Sequence, residues 1–180
     1  MDANEREVYR AAIQGDREAF EMIIRTQSRP LFAIAYGILQ NREEAEDAVQ
    51  DALIKAWKSR WRVRDPEKFP AWLCMIARHR ARDVFRKRKP VPVDADSYRT
   101  HTTSESHAAD TALDQQLHTA LAALPELHRA ALSLRYFEEM DYATIESRLG
   151  LTNGSLRGIL GRALASMRKQ LKPALASEQP

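Results

Sequence analysis

Cysteine is almost absent from this chain of 180 residues, in which Cys74 is the only one. A single thiol excludes an internal disulfide and fits a reducing compartment. Cys74 stands in the apolar run AWLCMIA, which predicts a buried core side chain rather than a reactive nucleophile. Long apolar runs are also missing: no stretch approaches the roughly 18 residues of a membrane helix, and the N-terminus lacks the apolar core of a signal peptide. We therefore expect a cytoplasmic protein that does not insert into a membrane.

The residue patterns of enzymes and metal sites are equally scarce. The six glycines are spread out and form no phosphate-binding loop. The five histidines are scattered, without an HExxH motif or a Cys/His ligand set. Ser104 and Ser106 stand near His107 in a polar segment where nothing would fix a catalytic geometry. We predict no catalytic residue, no metal and no cofactor, and hence a protein that is not an enzyme.

Positive charge, by contrast, is concentrated in one region. The whole chain carries a formal charge of only +3. Between Lys55 and Lys89, however, thirteen basic residues face three acidic ones, which gives a local charge of +10. A field of one sign at this density indicates a polyanionic partner, and phosphates are the commonest polyanions.

Apolar residues recur at helical spacing along nearly the whole chain, and no strand alternation is evident. The pattern predicts an all-α protein. The predicted helices cover Glu5–Gln14, residues 17–27 after an Asp16 cap, Pro30–Gln40, residues 42–59 after an Asn41 cap, and Ala71–Arg88 after a loop from Arg60 to Pro70. Further helices begin near Ala112, at Pro125 and after Asp141, and the last one runs to about Leu171.

The segment between these two groups of helices differs in composition. Residues 90–111 are polar, begin with two closely spaced prolines and show no apolar periodicity. Such a composition predicts a flexible linker. We therefore predict two small helical domains, at residues 1–89 and 112–174, joined by this linker.

The C-terminal part contains a helix-turn-helix pattern. Ala143, Ile145 and Leu149 form a short apolar face, Gly150 can end that helix in the left-handed conformation, and the Thr152 hydroxyl can cap the next helix. An inner apolar face then leaves the basic residues of the last helix outside. That face comprises Leu156, Ile159, Leu160, Ala163, Leu164 and Met167. The second helix of such a motif enters the DNA major groove N-terminus first.

The fourth predicted helix has an acidic front. Asp47 and Asp51 are four residues apart, so they share one face with Gln50 beside them. Acidic residues favour the N-terminal turn of a helix because they complement the helix dipole, which explains the acids of the first turn. Asp51 lies beyond that turn and is not explained in this way. An exposed acidic ridge here would suit a basic partner helix. On its inner side we expect Ala45, Ala48, Val49, Ala52, Leu53 and Ala56 to pack.

Aromatic residues cluster around the following loop, among basic ones. We favour a core position for Trp57 and Trp72, whereas Trp61, between Arg60 and Arg62, is equally suited to stacking on an unpaired base.

Together, two blocks of this sequence resemble the extracytoplasmic-function (ECF) sigma factors of the sigma-70 family. The first block, from Leu31 to Lys89, contains EDAVQDALIKAW followed by FPAWLCMIAR and looks like the σ2 domain. The second, from Leu124 to Leu171, looks like σ4. The resemblance implies that residues 1–89 dock on polymerase and open the −10 element, and that residues 112–174 recognise the −35 element.

The resemblance also implies particular contacts. Asp47, Gln50 and Asp51 match positions that bind the β′ clamp helices of RNA polymerase. The residues matched to −10 DNA are Lys58, Arg60, Trp61, Arg62, Lys68, Arg78, His79, Arg82 and Arg86. Those matched to −35 DNA are Thr152, Asn153, Ser155, Arg157 and Arg162. The implied partners are bacterial core RNA polymerase, including its β flap, promoter DNA and an anti-sigma factor.

The sequence departs from the family pattern at His79, where many relatives have Asn, and in the last helix. There Gly158, Ile159 and Gly161 stand where polar or basic residues are usual. Two other functions fit the sequence: a stand-alone helix-turn-helix regulator, and a sigma-like decoy that binds polymerase without starting transcription.

Overall fold

The described residues form eight α-helices and contain no β-strand. The structure is a computed structural model that describes residues 2–87, 112–152 and 154–177, with the side chains of all of these except 112–115 and 172–177. The predicted all-α fold is confirmed. The predicted linker at 90–111 and Asn153 lie outside the described residues.

Four helices make up the N-terminal half: α1 (Ala3–Gln14), α2 (Arg17–Leu39), α3 (Arg42–Ser59) and α4 (Phe69–Lys87). Local hydrogen bonds define their starts. The Asp16 carboxylate accepts from the Ala19 amide, and the Asn41 side chain accepts from the Glu44 amide, as predicted for both caps. Gly15 ends α1 with a φ of 105°.

The prediction of a break between Gln27 and Pro30 is wrong, because α2 is one continuous helix with Pro30 inside it. A proline normally breaks a helix because it lacks an amide hydrogen and its ring crowds the preceding turn. Here Ile23, Gln27, Leu31 and Ile34 form one buried stripe that passes through the proline position. Tertiary packing along this stripe holds the helix together across the unfavourable residue.

The loop predicted from Arg60 to Pro70 is shorter and more ordered than expected. It contains two 3₁₀ turns, Arg60–Arg62 and Pro66–Lys68, and α4 begins at Phe69. The Asp65 carboxylate caps the second turn by accepting from the Glu67 amide. Pro70 thus stands in the first turn of a helix, where its missing amide hydrogen costs nothing.

The C-terminal half contains α5 (Ala112–Ala122), α6 (Glu126–Leu132), α7 (Tyr142–Leu149) and α8 (Ser155–Ser177). A π-helical turn, Ser133–Phe137, follows α6 and was not predicted. Asp141 caps α7, and Gly150 ends it with a φ of 67°, as the sequence predicted. The predicted cap by the Thr152 hydroxyl is not observed: α8 begins only at Ser155, which donates to the Thr152 carbonyl instead.

The core follows the predicted apolar faces with one exception. All six inward residues predicted for α3 are buried, as are Leu156, Ile159, Leu160, Ala163 and Met167 of α8. Leu164 is half-buried. Ala143 is exposed, contrary to prediction, because it precedes the buried Ile145 by two residues and so lies roughly 200° away around the helix.

The helices pack within and between the two halves. α2, α3 and α4 contact one another, α1 covers α2, and α8 packs on α5 and α6. Across the halves, α7 rests on α4 and α6 rests on α2. Gly37 of α2 lies at the second contact, where a Cβ would be 3.5 Å from the Ala130 amide nitrogen, an ordinary van der Waals distance.

Candidate nucleic-acid interface

The acidic ridge of α3 projects from the bundle. Asp47, Gln50 and Asp51 are all exposed, as predicted for a docking surface. Arg80 of α4 forms an ion pair with Asp51 at 3.3 Å and so joins the ridge to the next helix. Ile54 continues the ridge by one turn and is 54% exposed, an unusual position for a large aliphatic side chain. Ile54 was not predicted from the sequence as part of this surface, although its spacing from Asp47 and Asp51 places it on the same helix face.

In the loop after α3, most of the residues predicted to bind −10 DNA are exposed, but one of them packs inward. Lys58, Arg62 and Lys68 are exposed, and Trp61 is 67% exposed with the Arg62 guanidinium 5.4 Å from its ring centre. Arg60 turns inward. Its guanidinium lies 4.0 Å from the centre of the Trp57 ring and donates to the Trp57 carbonyl. The structure therefore gives Arg60 a packing role at this loop.

The other tryptophans have the predicted core positions. Trp57 packs against Phe20, with ring centres 5.1 Å apart, and Trp72 packs against Phe69 at 5.3 Å. Both are half-buried. Trp61 is the tryptophan whose ring is exposed enough to stack on a base.

The basic residues of α4 are arranged along its outer side. His79, Arg82 and Arg86 are exposed and Arg78 is half-buried. Arg86 pairs with Asp83 one turn away. Arg78 and Arg82 instead contact the C-terminal half, since Arg78 donates to the Leu149 carbonyl at 2.9 Å and Arg82 binds both carboxylate oxygens of Glu126 at 3.1 Å.

A cavity of about 730 Å³ lies where the loop, α4 and α7 meet. Its walls carry an excess of positive charge, with Asp65 as the acidic member among basic side chains, and they include the apolar side chains of Trp72 and Met75. The basic lining residues are Arg62, Arg64, Lys68, Arg78, His79, Arg82 and Arg148. A lining that combines apolar and cationic side chains suits a base attached to a phosphate backbone.

The predicted −35 residues lie at and after the turn before α8. Thr152, Arg157 and Arg162 are exposed, and Ser155 is half-buried at the helix start. The Arg162 guanidinium lies over Gly158, where a Cβ would stand 3.2 Å from its Nη1. A Cβ at Gly161 would meet no atom within 4 Å. Ile159 is buried and therefore belongs to the core rather than to the DNA-facing side.

The pKa values of several groups near these surfaces are shifted, and that of Asp83 is lowered by its hydrogen bond from Arg86. Burial raises the pKa of the Cys74 thiol, and the neighbouring Arg148 guanidinium partly opposes the shift. The pKa of His128 is lowered by its partial burial and by the charge of Arg162. Cys74 is buried, as predicted for a core residue. Within the described ranges, no three His, Cys, Asp or Glu side chains are grouped as a possible metal site.

None of the helices in the described part of the chain combines the length and apolar character of a membrane span.

Two protein-family models match the chain, Sigma-70 region 2 over residues 23–91 and Sigma-70 region 4 over residues 114–167. The first span contains the acidic ridge of α3 and the basic face of α4. The second span contains the helix-turn-helix.

Characterised relatives are similar over most of their length. The chain is 31% identical to RNA polymerase sigma factor SigV of Bacillus subtilis, covering 82% of this chain and 88% of SigV. It is 27% identical to the RNA polymerase sigma-H factor of Pseudomonas aeruginosa, covering 90% and 91%. It is also 27% identical to the ECF RNA polymerase sigma factor SigW of Bacillus subtilis, covering 88% and 92%.

Two solved structures share the fold. CnrH in complex with the cytosolic domain of CnrY matches with a TM-score of 0.65 at 21% identity, over 97% of this chain and 99% of CnrH. The sigma factor RpoE of Bartonella quintana in complex with the anti-sigma factor NepR matches with a TM-score of 0.64 at 27% identity, over 85% and 96%. With both regions matched and a relative above 30% identity, the chain belongs to the ECF group of the sigma-70 family and is an alternative RNA polymerase sigma factor.

Proposed function

We propose that this sigma factor docks on bacterial core RNA polymerase through the acidic ridge of α3 and binds promoter DNA through two basic surfaces. The observation that carries the proposal is the juxtaposition on one bundle of an exposed acidic ridge and an exposed basic face, on the neighbouring helices α3 and α4. The ion pair between Asp51 and Arg80 lies at their junction. Opposite charges on adjacent helices suit a protein that bridges a basic protein surface and a polyanion.

On the polymerase side, Asp47, Gln50 and Asp51 bind the β′ clamp helices. Ile54 adds an apolar contact at the end of the ridge, where a partner would bury it. The C-terminal half binds the β flap. An apolar cavity of about 310 Å³, lined by Leu121, Phe137, Leu164 and Met167 among others, supports that second contact.

On the DNA side, α4 lies along the upstream part of the −10 element, with Arg78, His79, Arg82 and Arg86 on phosphates. Lys58, Trp61, Arg62 and Lys68 hold an extruded base and its backbone. Extruding a base costs a few kcal/mol of unstacking, which stacking on Trp61 partly offsets. Arg60 contributes by fixing the loop through its packing on Trp57.

In the −35 element, the turn before α8 and the start of α8 enter the major groove. Arg157 and Arg162 supply charge, and Thr152, Asn153 and Ser155 supply short polar side chains. Gly158 lets the Arg162 guanidinium fold back along the helix. The protein acts by binding and DNA opening without a covalent step, and it works in the cytoplasm with the polymerase.

An anti-sigma factor that covers these surfaces is part of the proposal. The sigma factor RpoE from Bartonella quintana, of the same fold, has been solved in complex with the anti-sigma factor NepR. Co-purification from the native cell should recover a second protein beside polymerase, and recovery of polymerase alone would count against this part.

Run-off transcription tests the function as a whole. Purified protein is added to sigma-free core polymerase on a fragmented genomic library, and RNA starts are sequenced. We expect starts that depend on the protein and share two upstream elements. Polymerase binding without starts would favour the decoy, whereas specific duplex binding without polymerase would favour the stand-alone regulator.

The polymerase contact is tested by Asp47→Lys, with Asp51→Lys as a second variant. Each should reduce affinity for core polymerase at least tenfold, because like charges then face each other across the contact. Glu7→Lys makes the same charge change on α1 and serves as the control. Unchanged binding of both ridge variants, measured by biolayer interferometry, would contradict the assignment.

The −10 contact is tested by Trp61→Ala, which should not alter stability because the ring is exposed. Loss of base stacking is worth about 1–3 kcal/mol, so we expect five- to a hundredfold less open complex by permanganate footprinting. Met22→Ala, at an exposed position on α2, is the control.

A separate variant tests the −35 contact. Arg157→Ala should weaken promoter binding. The slope of the logarithm of the binding constant against the logarithm of salt concentration should become shallower by about 1, as expected for one lost phosphate contact. Arg168→Ala removes another exposed arginine farther along α8 and should leave this salt dependence unchanged.

A further inference from the structure

The loop proposed to hold the extruded base, residues 60–68, lies against α1, a helix that none of the proposed binding surfaces includes. α1 contacts both 3₁₀ turns of this loop. The C-terminal end of α1, at Gly15, meets the first turn at Arg60, and Arg6 meets the second turn at Glu67. The helix from Arg6 to Gly15 spans roughly 13 Å, so α1 is long enough to follow the loop from one turn to the other.

The contact at the first turn depends on the absence of a side chain at Gly15. This residue ends α1 with a φ of 105°, and a Cβ there would lie 2.8 Å from Nη2 of Arg60. The same guanidinium lies 4.0 Å from the centre of the Trp57 ring and donates to the Trp57 carbonyl at 2.6 Å. Arg60 therefore contacts the end of α1 and the last turn of α3 at once, which fixes the start of the loop.

An ion pair holds the second turn. The Arg6 guanidinium binds the Glu67 carboxylate, and both side chains are about half exposed. Between the two ends of α1, the buried rings of Tyr9 and Phe69 lie with their centres 5.4 Å apart, which anchors the start of α4 to α1. Because an ion pair at this exposure contributes little to overall stability, its main consequence is local, and it orients the turn.

The residues that α1 holds lie next to residues proposed to bind DNA. Trp61 directly follows Arg60, and Lys68 directly follows Glu67. Trp61 and Lys68 are exposed, whereas Val63 between them is buried. A loop that is already fixed loses less conformational entropy when it receives a base, so fixing the loop favours the captured state.

We propose that α1 is a positioning element for promoter opening. Through Gly15 and Arg6 it holds residues 60–68 in the conformation that receives the extruded −10 base, and it does so without contacting DNA or polymerase itself. The inference rests on the proposed role of this loop in −10 binding. Promoter opening then depends on the pair between Arg6 and Glu67 and on the absence of a Cβ at position 15.

A double-mutant cycle tests the ion pair. Arg6→Glu places two carboxylates against each other, Glu67→Arg places two guanidinium groups there, and the double variant restores an opposite pair with the charges exchanged. The positive charge that Glu67→Arg brings near DNA cancels in the cycle, so the coupling reports the pair alone. Arg10→Glu is the matched control, because Arg10 lies on the same helix and pairs with Glu7 within α1.

The contact at Gly15 is tested separately by Gly15→Asn. Asparagine tolerates a positive φ better than most residues that have a Cβ, so α1 can still end at this position. Its Cβ must displace the Arg60 guanidinium, however. Since the displaced group is the tip of a long side chain, the helical bundle can accommodate the change while the loop loses its contact.

The measurement is the amount of open complex, determined by permanganate footprinting of the holoenzyme on a promoter found by run-off transcription. Affinity for core polymerase and the free energy of unfolding are measured beside it. Arg6→Glu and Gly15→Asn should each give about fivefold less open complex at unchanged core affinity, and Arg10→Glu should match the wild type. The double variant should give more open complex than the product of the two single effects. In a Trp61→Ala background, Arg6→Glu should add little further loss, because both changes act through the same loop.

Three results would overturn the positioning role: single effects that simply multiply in the double variant, an undiminished effect of Arg6→Glu in the Trp61→Ala background, or normal open complex in both Arg6→Glu and Gly15→Asn. A loss of open complex explained by an equal fall in core affinity would overturn it as well. In all these cases the proposed function stands as long as Trp61→Ala alone reduces open complex. Normal opening by Trp61→Ala would instead remove the −10 role of the loop.

Discussion

At the scale of single residues, exposure and partners decide which charged and aromatic side chains are available for binding. Trp61 and Arg60 are neighbours in sequence, yet one ring faces outward and the other side chain packs on Trp57. The sequence indicates an aromatic-basic cluster here, but the division of roles depends on the rotamers that the fold permits.

Cys74 should react slowly with a thiol reagent in the folded protein. The side chain is buried and its pKa is raised, so little thiolate is present and access requires opening. We expect the reaction with a chromogenic disulfide to be on the order of 100-fold slower in buffer than in denaturant. Because the chain has one cysteine, the signal has a single source. Equal rates would show that the α4 core is open.

Ile54→Ala should leave the fold intact and weaken polymerase binding. An exposed substitution changes the free energy of unfolding by about 0.5 kcal/mol or less, whereas loss of a buried interface anchor costs more than about 1 kcal/mol. A five- to tenfold loss of affinity for core polymerase is expected. Met22→Ala, of similar exposure on α2, should bind normally, and equal effects of both would argue against a specific role of Ile54.

At the scale of elements, local signals define the starts of α2, α3 and α7. Caps at Asp16, Asn41 and Asp141 join residues three apart, so a short stretch of sequence contains both partners. The continuous α2 and the π-helical turn after α6 were not predictable in this way, because packing on other helices stabilises them against weak local preferences.

Asp141→Ala should reduce the free energy of unfolding by about 1 kcal/mol, because the α7 cap is lost. Asp141→Asn retains an acceptor and is the control. Hydrogen bonds from Thr144 lower the pKa of Asp141, so the carboxylate's contribution is present above the unfolded pKa of about 3.9 and is lost as pH falls through the folded value. Urea denaturation should show that Asp141→Ala lowers the free energy of unfolding by less at pH 3 than at pH 7. A constant penalty would mean that the cap is not ionised.

At the scale of the whole molecule, a few arginines connect the two halves. Arg129 bonds to the Gly37 carbonyl of α2 and also to the carbonyls of Ala122 and Leu124, which lie in its own half. One side chain therefore fixes the turn between α5 and α6 and the contact of α6 with α2.

Arg129→Ala should loosen both regions together and cost about 2 kcal/mol, the range for hydrogen bonds to a charged group. Hydrogen–deuterium exchange should accelerate in residues 117–132 and in residues 34–40. Arg135→Ala is the control, since Arg135 donates only locally to the Met140 carbonyl, and its effect should stay within the C-terminal half. Unchanged exchange in residues 34–40 of Arg129→Ala would contradict the bridging role.

The sequence by itself determined the helical class, the main apolar faces, the caps at Asp16, Asn41 and Asp141, and the family, because each depends on residue spacing within a short segment. It also placed Asp47, Gln50 and Asp51 on one exposed face. Only the tertiary structure decided that α2 continues through Pro30, that Arg60 packs inward and that Arg78 and Arg82 bind the C-terminal half. Those features depend on groups far apart in sequence, whose proximity arises only when the helices pack.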